Sequence, residues 1–289
     1  MGTLPSGVLD WRDDGRFLDV GGRRIYVLDT NSHPGRFVFI LHGFPSSSFD
    51  WHLVVPELAR RARVVTFDFL GYGLSDKPDQ AYSLQQQADI AEAVAADCGI
   101  ERCVLVSHDM GDTVAAELLK RHTHGALSFQ IERSILTNGS IFIDMAQLST
   151  GQQFLLALPD ERLSEPLGLD GMRPGLRETF SSDHQPSDDE IDAMVELIRH
   201  NGGDQLLPRL IRYIEERRAN QDAWTSALVE FDGPMSALWG EQDPIAVVAM
   251  TDHLKAIRPS TEIVRWPDVG HWPSLEAPDR VSAAILERL

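Results

Sequence analysis

Apolar and polar residues repeat along this chain with two different periods, and the change from one to the other divides it. Arg16 to Val20 and Arg24 to Asp29 alternate as half-buried strands do, and Gly21-Gly22 between them predicts a hairpin. Nearly continuous apolar runs follow at Phe37 to Leu41, Val64 to Phe67, Val104 to Val106 and Ser134 to Leu136, the pattern of strands buried on both faces. Between them, Leu53 to Arg61, Leu84 to Asp97 and Asp112 to His122 repeat at helical spacing. Strand and helix in alternation predict the α/β class, with a mostly parallel sheet covered on both sides.

The rhythm breaks at residue 141. From there to residue 226 helical periods and loops appear without a convincing central strand. Glu190 to His200 and Leu206 to Arg218 predict amphipathic helices, and Pro166, Pro174, Pro186 and Pro208 punctuate the stretch. Alternation resumes with a strand at Met235 to Trp239, a helix within Ile245 to Ile257, a strand at Glu262 to Trp266 and a helix from Pro278 to Leu289. We therefore expect an α/β core from residues 1–140 and 227–289, with 141–226 inserted as a helical cap. The cap should lie over the C-terminal ends of the strands, where open α/β sheets bind ligands.

Composition narrows the partners. The chain has 289 residues and a net charge of -18, which argues against nucleic acid or an anionic membrane as partner. A neutral small molecule suits such a surface better than an anion, and a monomer or homodimer is expected. Two cysteines, Cys98 and Cys103, make no disulfide framework. With no apolar run of about 18 residues and no charged start leading into an apolar core, a cytoplasmic location is expected.

The chemistry is concentrated at Ser107-His108-Asp109-Met110-Gly111, where a strand meets a helix. The pattern small-x-nucleophile-x-Gly at that place is a nucleophile elbow, and Asp109 fills its nucleophile slot. Asp243 follows the Met235 strand and His271 follows the Glu262 strand, giving the chain order nucleophile, acid, histidine. Two backbone amides should form the oxyanion hole: Met110, after the nucleophile, and Phe44 in His42-Gly43-Phe44-Pro45. An aspartate, with a reference pKa of about 3.9, is already ionised at neutral pH. It suits displacement at saturated carbon, where the leaving atom departs directly and an alkyl ester is left on the enzyme. His271, oriented by Asp243, then deprotonates the water that hydrolyses this ester. Attack on an ordinary carboxylic ester would give an anhydride, so carboxylesterase activity is disfavoured.

These residues resemble the epoxide hydrolase and haloalkane dehalogenase branch of the α/β-hydrolases. His42-Gly43-Phe44-Pro45 resembles its HGxP loop, Trp51 a tryptophan common shortly after, and Asp68 to Pro78 its D-x-x-G-x-G-x-S-D-K-P segment. Ser107 to Asp112 and Asn138-Gly139-x-Ile141-Phe142 resemble the mesoderm-specific transcript group more closely still. The resemblance implies the α/β-hydrolase fold and chemistry without cofactor or metal. Dehalogenases of the branch usually hold halide with a tryptophan after the nucleophile and often an asparagine in the HGxP loop; Met110 and Phe44 stand here and donate nothing from their side chains. Epoxide hydrolases protonate the departing alkoxide with cap tyrosines, and Tyr213 resembles the second of these. The first has no evident counterpart, and His184, His200 and Asn201 are candidates to replace it. The resemblance thus implies an epoxide hydrolase acting on a neutral apolar epoxide. The alternatives are a haloalkane dehalogenase and a ligand-binding or scaffolding homologue without turnover.

Overall fold

The computed structural model describes residues 4–33, 35–159 and 171–289. Pro166 and its neighbours between 159 and 171 lie outside the described residues. Eight strands form one sheet: β1 (Arg16–Val20), β2 (Arg23–Asp29), β3 (Phe37–Leu41), β4 (Arg63–Phe67), β5 (Arg102–His108), β6 (Gln130–Thr137), β7 (Met235–Gly240) and β8 (Glu262–Trp266). Their order is β1-β2-β4-β3-β5-β6-β7-β8. The β1–β2 and β2–β4 pairs are antiparallel, and every other pair is parallel. The expected α/β architecture is therefore present.

The apolar runs follow from burial on both faces. Phe37, Phe39 and Leu41 of β3 enter one core and Val38 and Ile40 the other; β5 divides in the same way, Cys103 and Leu105 against Val104 and Val106. Successive side chains of a strand point to opposite faces, so a central strand covered twice must be apolar throughout. Helices α3 (Leu84–Asp97) and α4 (Met110–Thr123) pack on the first side, while α1 (Ser6–Asp14), α2 (Val55–Leu58) and α12 (Pro278–Leu286) pack on the second. Both cysteines are buried and free, and no helix of the described residues is long and apolar enough to cross a membrane.

Between β6 and β7 the described residues hold no strand of the sheet. They form α5 (Thr150–Ala157), α6 (Met172–Arg177), α7 (Asp188–Arg199), α8 (Leu207–Leu210) and α9 (Tyr213–Glu230). After β7 come α10 (Ala249–Ile257) and α11 (Pro273–Glu276).

Several helices differ from the sequence expectation. The predicted helix at Leu53 to Arg61 shrinks to α2, because Pro56 lacks an N–H and is tolerated only in a first turn. The predicted helix at Leu206 to Arg218 is divided. Pro208 begins the short α8, and α9 then starts afresh at Tyr213 and continues twelve residues beyond the expected end, from Arg218 to Glu230. Its far half carries Asn220, Gln221 and Asp222 and lacks an apolar stripe. It buries Arg217, Trp224 and Leu228 instead, so the periodicity signal failed there. Helices α1, α5, α6 and α11 were not individually foreseen.

Candidate active site

Register brings the chemistry together. Leu41 pairs with Ser107 and His108 with Thr137, so the loops after β3, β5 and β6 leave the sheet side by side. Asp109 joins β5 to α4 with φ 48° and ψ -114°. A non-glycine residue at positive φ costs of order 1–3 kcal/mol and persists only where its surroundings over-determine it. The Asp109 amide donates to Thr137 O at 3.2 Å, and Asp112 N donates to Asp109 O at 3.1 Å. Two glycines make room for the turn: a Cβ on Gly111 would lie 2.5 Å from His42 O, and one on Gly43 would lie 2.6 Å from Asp109 Cβ. Gly43 is thus required by close approach rather than by an unusual backbone angle.

The two oxygens of Asp109 are not equivalent. Phe44 N donates to Oδ2 at 2.8 Å, while Oδ1 is buried and has no hydrogen-bond partner among the described residues. Met110, the other expected amide, is the first residue of α4, where backbone N–H groups have no acceptor within the helix. His42 fixes the Phe44 loop: its Nδ1 bonds Gly43 O at 2.8 Å, and its Nε2 accepts from Phe69 N at 2.9 Å. The segment from Asp68 to Pro78 serves this loop from behind. Asp68 accepts from Ser48 N at 2.8 Å and from Leu74 N at 2.6 Å, so that motif is a brace and not part of the reactive centre.

His271 and Asp243 meet as the sequence predicts. Nδ1 of His271 donates to Asp243 Oδ2 at 2.8 Å, and both side chains are buried. The other Asp243 oxygen accepts from Ile245 N at 2.7 Å and Ala246 N at 3.0 Å. Asn138, at the end of β6, donates to Asp243 Oδ2 at 2.8 Å and to Gly240 O at 3.1 Å, and receives Gly240 N at 2.8 Å. It does so at φ 44°, a left-handed conformation that asparagine tolerates better than most residues. Burial disfavours the Asp243 carboxylate, but the charge and hydrogen bond of His271, with Asn138 and Ile245, hold its pKa below the usual value. For His271 burial opposes the imidazolium; the charge and hydrogen bond of Asp243 and the charge of Asp109 outweigh it and raise the pKa to about 9. His108 is neutral by contrast, since burial and the facing His271 lower it to about 4. Its Nε2 donates to His271 O at 2.7 Å.

Glu276 was not singled out from sequence, yet it shapes the histidine loop. Its carboxylate accepts from Gly270 N at 2.7 Å, Trp272 N at 3.0 Å and Ser181 N at 3.0 Å. Trp272 Nε1 also donates to Thr179 Oγ1 at 2.7 Å. The histidine loop is thereby tied to the segment between α6 and α7.

A cavity of about 750 Å³ opens here, lined by Phe44, Gln152, Leu155, Met172, His271 and Trp272 among others. Phe154 and Leu155 are in its wall, whereas Phe142 is buried against His253. The Tyr213 ring lies 5.5 Å from that of Phe44, which lines the cavity. His184, His200 and Asn201 are not among the lining residues; His184 pairs with Asp268 at 3.1 Å, and Asn201 sits in a backbone kink at φ 53°. Met110 departs further from a halide donor: its Sδ accepts from Tyr72 Oη at 3.3 Å.

The sequence model of the "Alpha/beta hydrolase family" matches residues 37–284. LipZ of Mycobacterium tuberculosis is 38% identical over 290 residues, spanning 99% of this chain and 99% of the relative. The mesoderm-specific transcript protein of Mus musculus is 33% identical over 288 residues, covering 95% of this chain and 85% of the relative. Epoxide hydrolase 3 of Xenopus tropicalis is 26% identical over 297 residues, covering 95% and 76%. The branch expected from the motifs, and its mesoderm-specific transcript members, are thus among the proteins this chain resembles.

Proposed function

Because the chain belongs to the alpha/beta hydrolase family, we propose that it hydrolyses a neutral, largely apolar epoxide through an alkyl ester on Asp109. The observation that carries this reading is the inequality of the Asp109 oxygens. Among the described residues Oδ1 has no partner to give up before attack, and Oδ2, held by Phe44 N at 2.8 Å, becomes the carbonyl oxygen of the ester. In the first step Oδ1 displaces the ring oxygen at carbon, and Tyr213 protonates that oxygen as it departs. In the second step His271 takes a proton from water, which attacks the ester carbonyl. The oxyanion forms on Oδ2, facing the Phe44 and Met110 amides. Asp243 keeps the imidazole oriented and supports its charge. Residues 141–226 act as the cap that closes the cavity over this centre.

Esterification changes the electrostatics in the useful direction. The negative charge of Asp109 helps hold His271 protonated; the ester has no such charge, so the imidazole becomes a better base when water must be activated. A halide leaving group is disfavoured because neither Met110 nor Phe44 offers a side-chain donor.

The test is a mass measurement. Asp109→Asn should abolish turnover of styrene oxide, and His271→Gln should accumulate protein heavier by one epoxide. If no epoxide adds mass to the His271→Gln protein, the covalent scheme is wrong; halide release from haloalkanes instead would move the assignment to a dehalogenase.

A further inference from the structure

We propose that Glu276 is the positioning residue for His271 in ester hydrolysis, its carboxylate holding the histidine loop to residues 179–181 of the cap. The inference rests on the covalent reading above and deepens it: the second chemical step depends on a cap contact that the first does not use.

Each backbone N–H of residues 270–272 has a fixed acceptor. Gly270 N donates to Glu276 Oε2 at 2.7 Å and Trp272 N to Oε1 at 3.0 Å, while His271 N donates to Thr179 O at 3.0 Å. Oε2 accepts a second N–H, that of Ser181, at 3.0 Å. A single buried carboxylate therefore joins the residues on either side of His271 to the segment that takes the His271 amide itself. Leu275 N and Glu276 N donate back to Trp272 O at 2.9 and 2.8 Å, so α11 starts directly after the loop and turns the Glu276 side chain over it. Gly270 permits the contact: a Cβ there would lie 2.5 Å from Ser181 N and 2.9 Å from Thr179 O. Trp272 Nε1 adds its bond to Thr179 Oγ1. Thr179, His271 and Trp272 all line the cavity, so these bonds run along the wall that faces the substrate.

The consequence falls on one step. Asp109 attacks carbon with its own oxygen, and that attack asks nothing of the His271 ring. Hydrolysis does. The imidazole accepts a proton from water as the water oxygen bonds to the ester carbonyl carbon, and it returns that proton to the alcohol oxygen as the acyl C–O bond breaks. Asp109 leaves as the carboxyl, whose proton restores the acid spent in the first step. A misplacement of about 1 Å can slow such a step about 100-fold. Asp243 fixes the Nδ1 side of the ring, and Glu276 fixes the backbone that carries it. Burial opposes the imidazolium that forms, while the charges of Asp243, Asp109 and Glu276 favour it.

Glu276→Gln keeps the size of the side chain and spoils its bonding. An amide has a single acceptor oxygen, and its NH2 group can only donate. Whichever way it turns, the NH2 group meets a backbone N–H. Followed by rapid quenching and mass measurement, styrene oxide should add to Glu276→Gln at the wild-type rate. Once free epoxide is removed, the ester should decay about 100-fold more slowly than in the wild-type protein. Equal decay rates would overturn the proposal, and so would labelling and decay slowed alike, the mark of a general distortion. Should Glu276→Gln fail to fold, Glu276→Asp, whose carboxylate reaches less far, is read in the same way. A second arm needs no substrate. The Nδ1 proton of His271, buried against Asp243, should give a downfield NMR signal that His271→Gln lacks. In Glu276→Gln its exchange with water should be at least about tenfold faster, the scale of a lost hydrogen bond. An unchanged exchange rate overturns the role of Glu276. Accelerated exchange without any epoxide labelling of His271→Gln points instead to failure of the covalent epoxide reading.

Discussion

Asp109 acts on His271 through charge. Each is buried, and the Asp109 carboxylate is one of the charges that, after Asp243, raise His271 to about 9 against its burial. Removing that single charge without changing shape should therefore lower the histidine. In Asp109→Asn the His271 pKa, followed by NMR of its ring protons, is expected to fall by roughly one pH unit, the low end for a nearby opposite charge. An unchanged value would mean that Asp243 alone sets it. At this scale the sequence was most informative where a residue type is tied to a strand end: Asp109, Asp243 and His271 could be read because the elbow and the loops after β7 and β8 have recognisable neighbours. The roles of Asn138 and Glu276 could not, because each acts through partners distant in the chain or through backbone amides.

Helices α4 and α9 place a second, unforeseen set of charges beneath the elbow. Ser107 Oγ donates to Asp112 Oδ1, while Asp112 Oδ2 has no hydrogen-bond partner among the described residues. Arg217, on α9 and buried to 1% exposure, donates through Nε to Thr113 Oγ1 at 2.8 Å and lies 5.0 Å from the Tyr213 ring centre. Burial and Asp109 push the Asp112 carboxyl well up, and Arg217 opposes them. Arg217 is therefore a buried cation between α9 and the nucleophile's helix, bonded to Thr113 and, among the described residues, in no ion pair with Asp112. Arg217→Met should cost about 1 kcal/mol in denaturant unfolding, the scale of the lost hydrogen bond to Thr113. Adding Asp112→Asn should recover part of that loss, and strictly additive losses would show that the two groups are not coupled. The helical period of α9 beyond Arg218 was lost in sequence because only Trp224, Ala227 and Leu228 are buried there, too few to announce an apolar stripe.

The whole molecule reports on the site through its stability. A net charge of -18 makes general self-repulsion grow with pH, so a single group is best read by difference. His271 is raised from 6.5 in the unfolded chain to about 9 in the fold. A group whose folded pKa is raised adds stability that is fully present below the unfolded pKa and is lost as pH climbs through the folded one. The window is therefore pH 6.5 to about 9, and the loss across it approaches about 3 kcal/mol at 1.36 kcal/mol for each pH unit. His271→Gln keeps the fold's other titrating groups and lacks this one. The stability of the wild-type protein relative to His271→Gln, measured by urea unfolding at intervals from pH 6 to 10, should decline through that window and level off above it. A difference that stays flat with pH would show that His271 is not held as an imidazolium between Asp243 and Asp109. The mostly parallel sheet and the placement of these groups after its strands were legible from apolar runs alternating with helical ones, because strands covered on both faces leave little freedom in composition; the order of the strands was not. The titration behaviour was not, because it depends on how closely loops from β3, β5, β6, β7 and β8 converge.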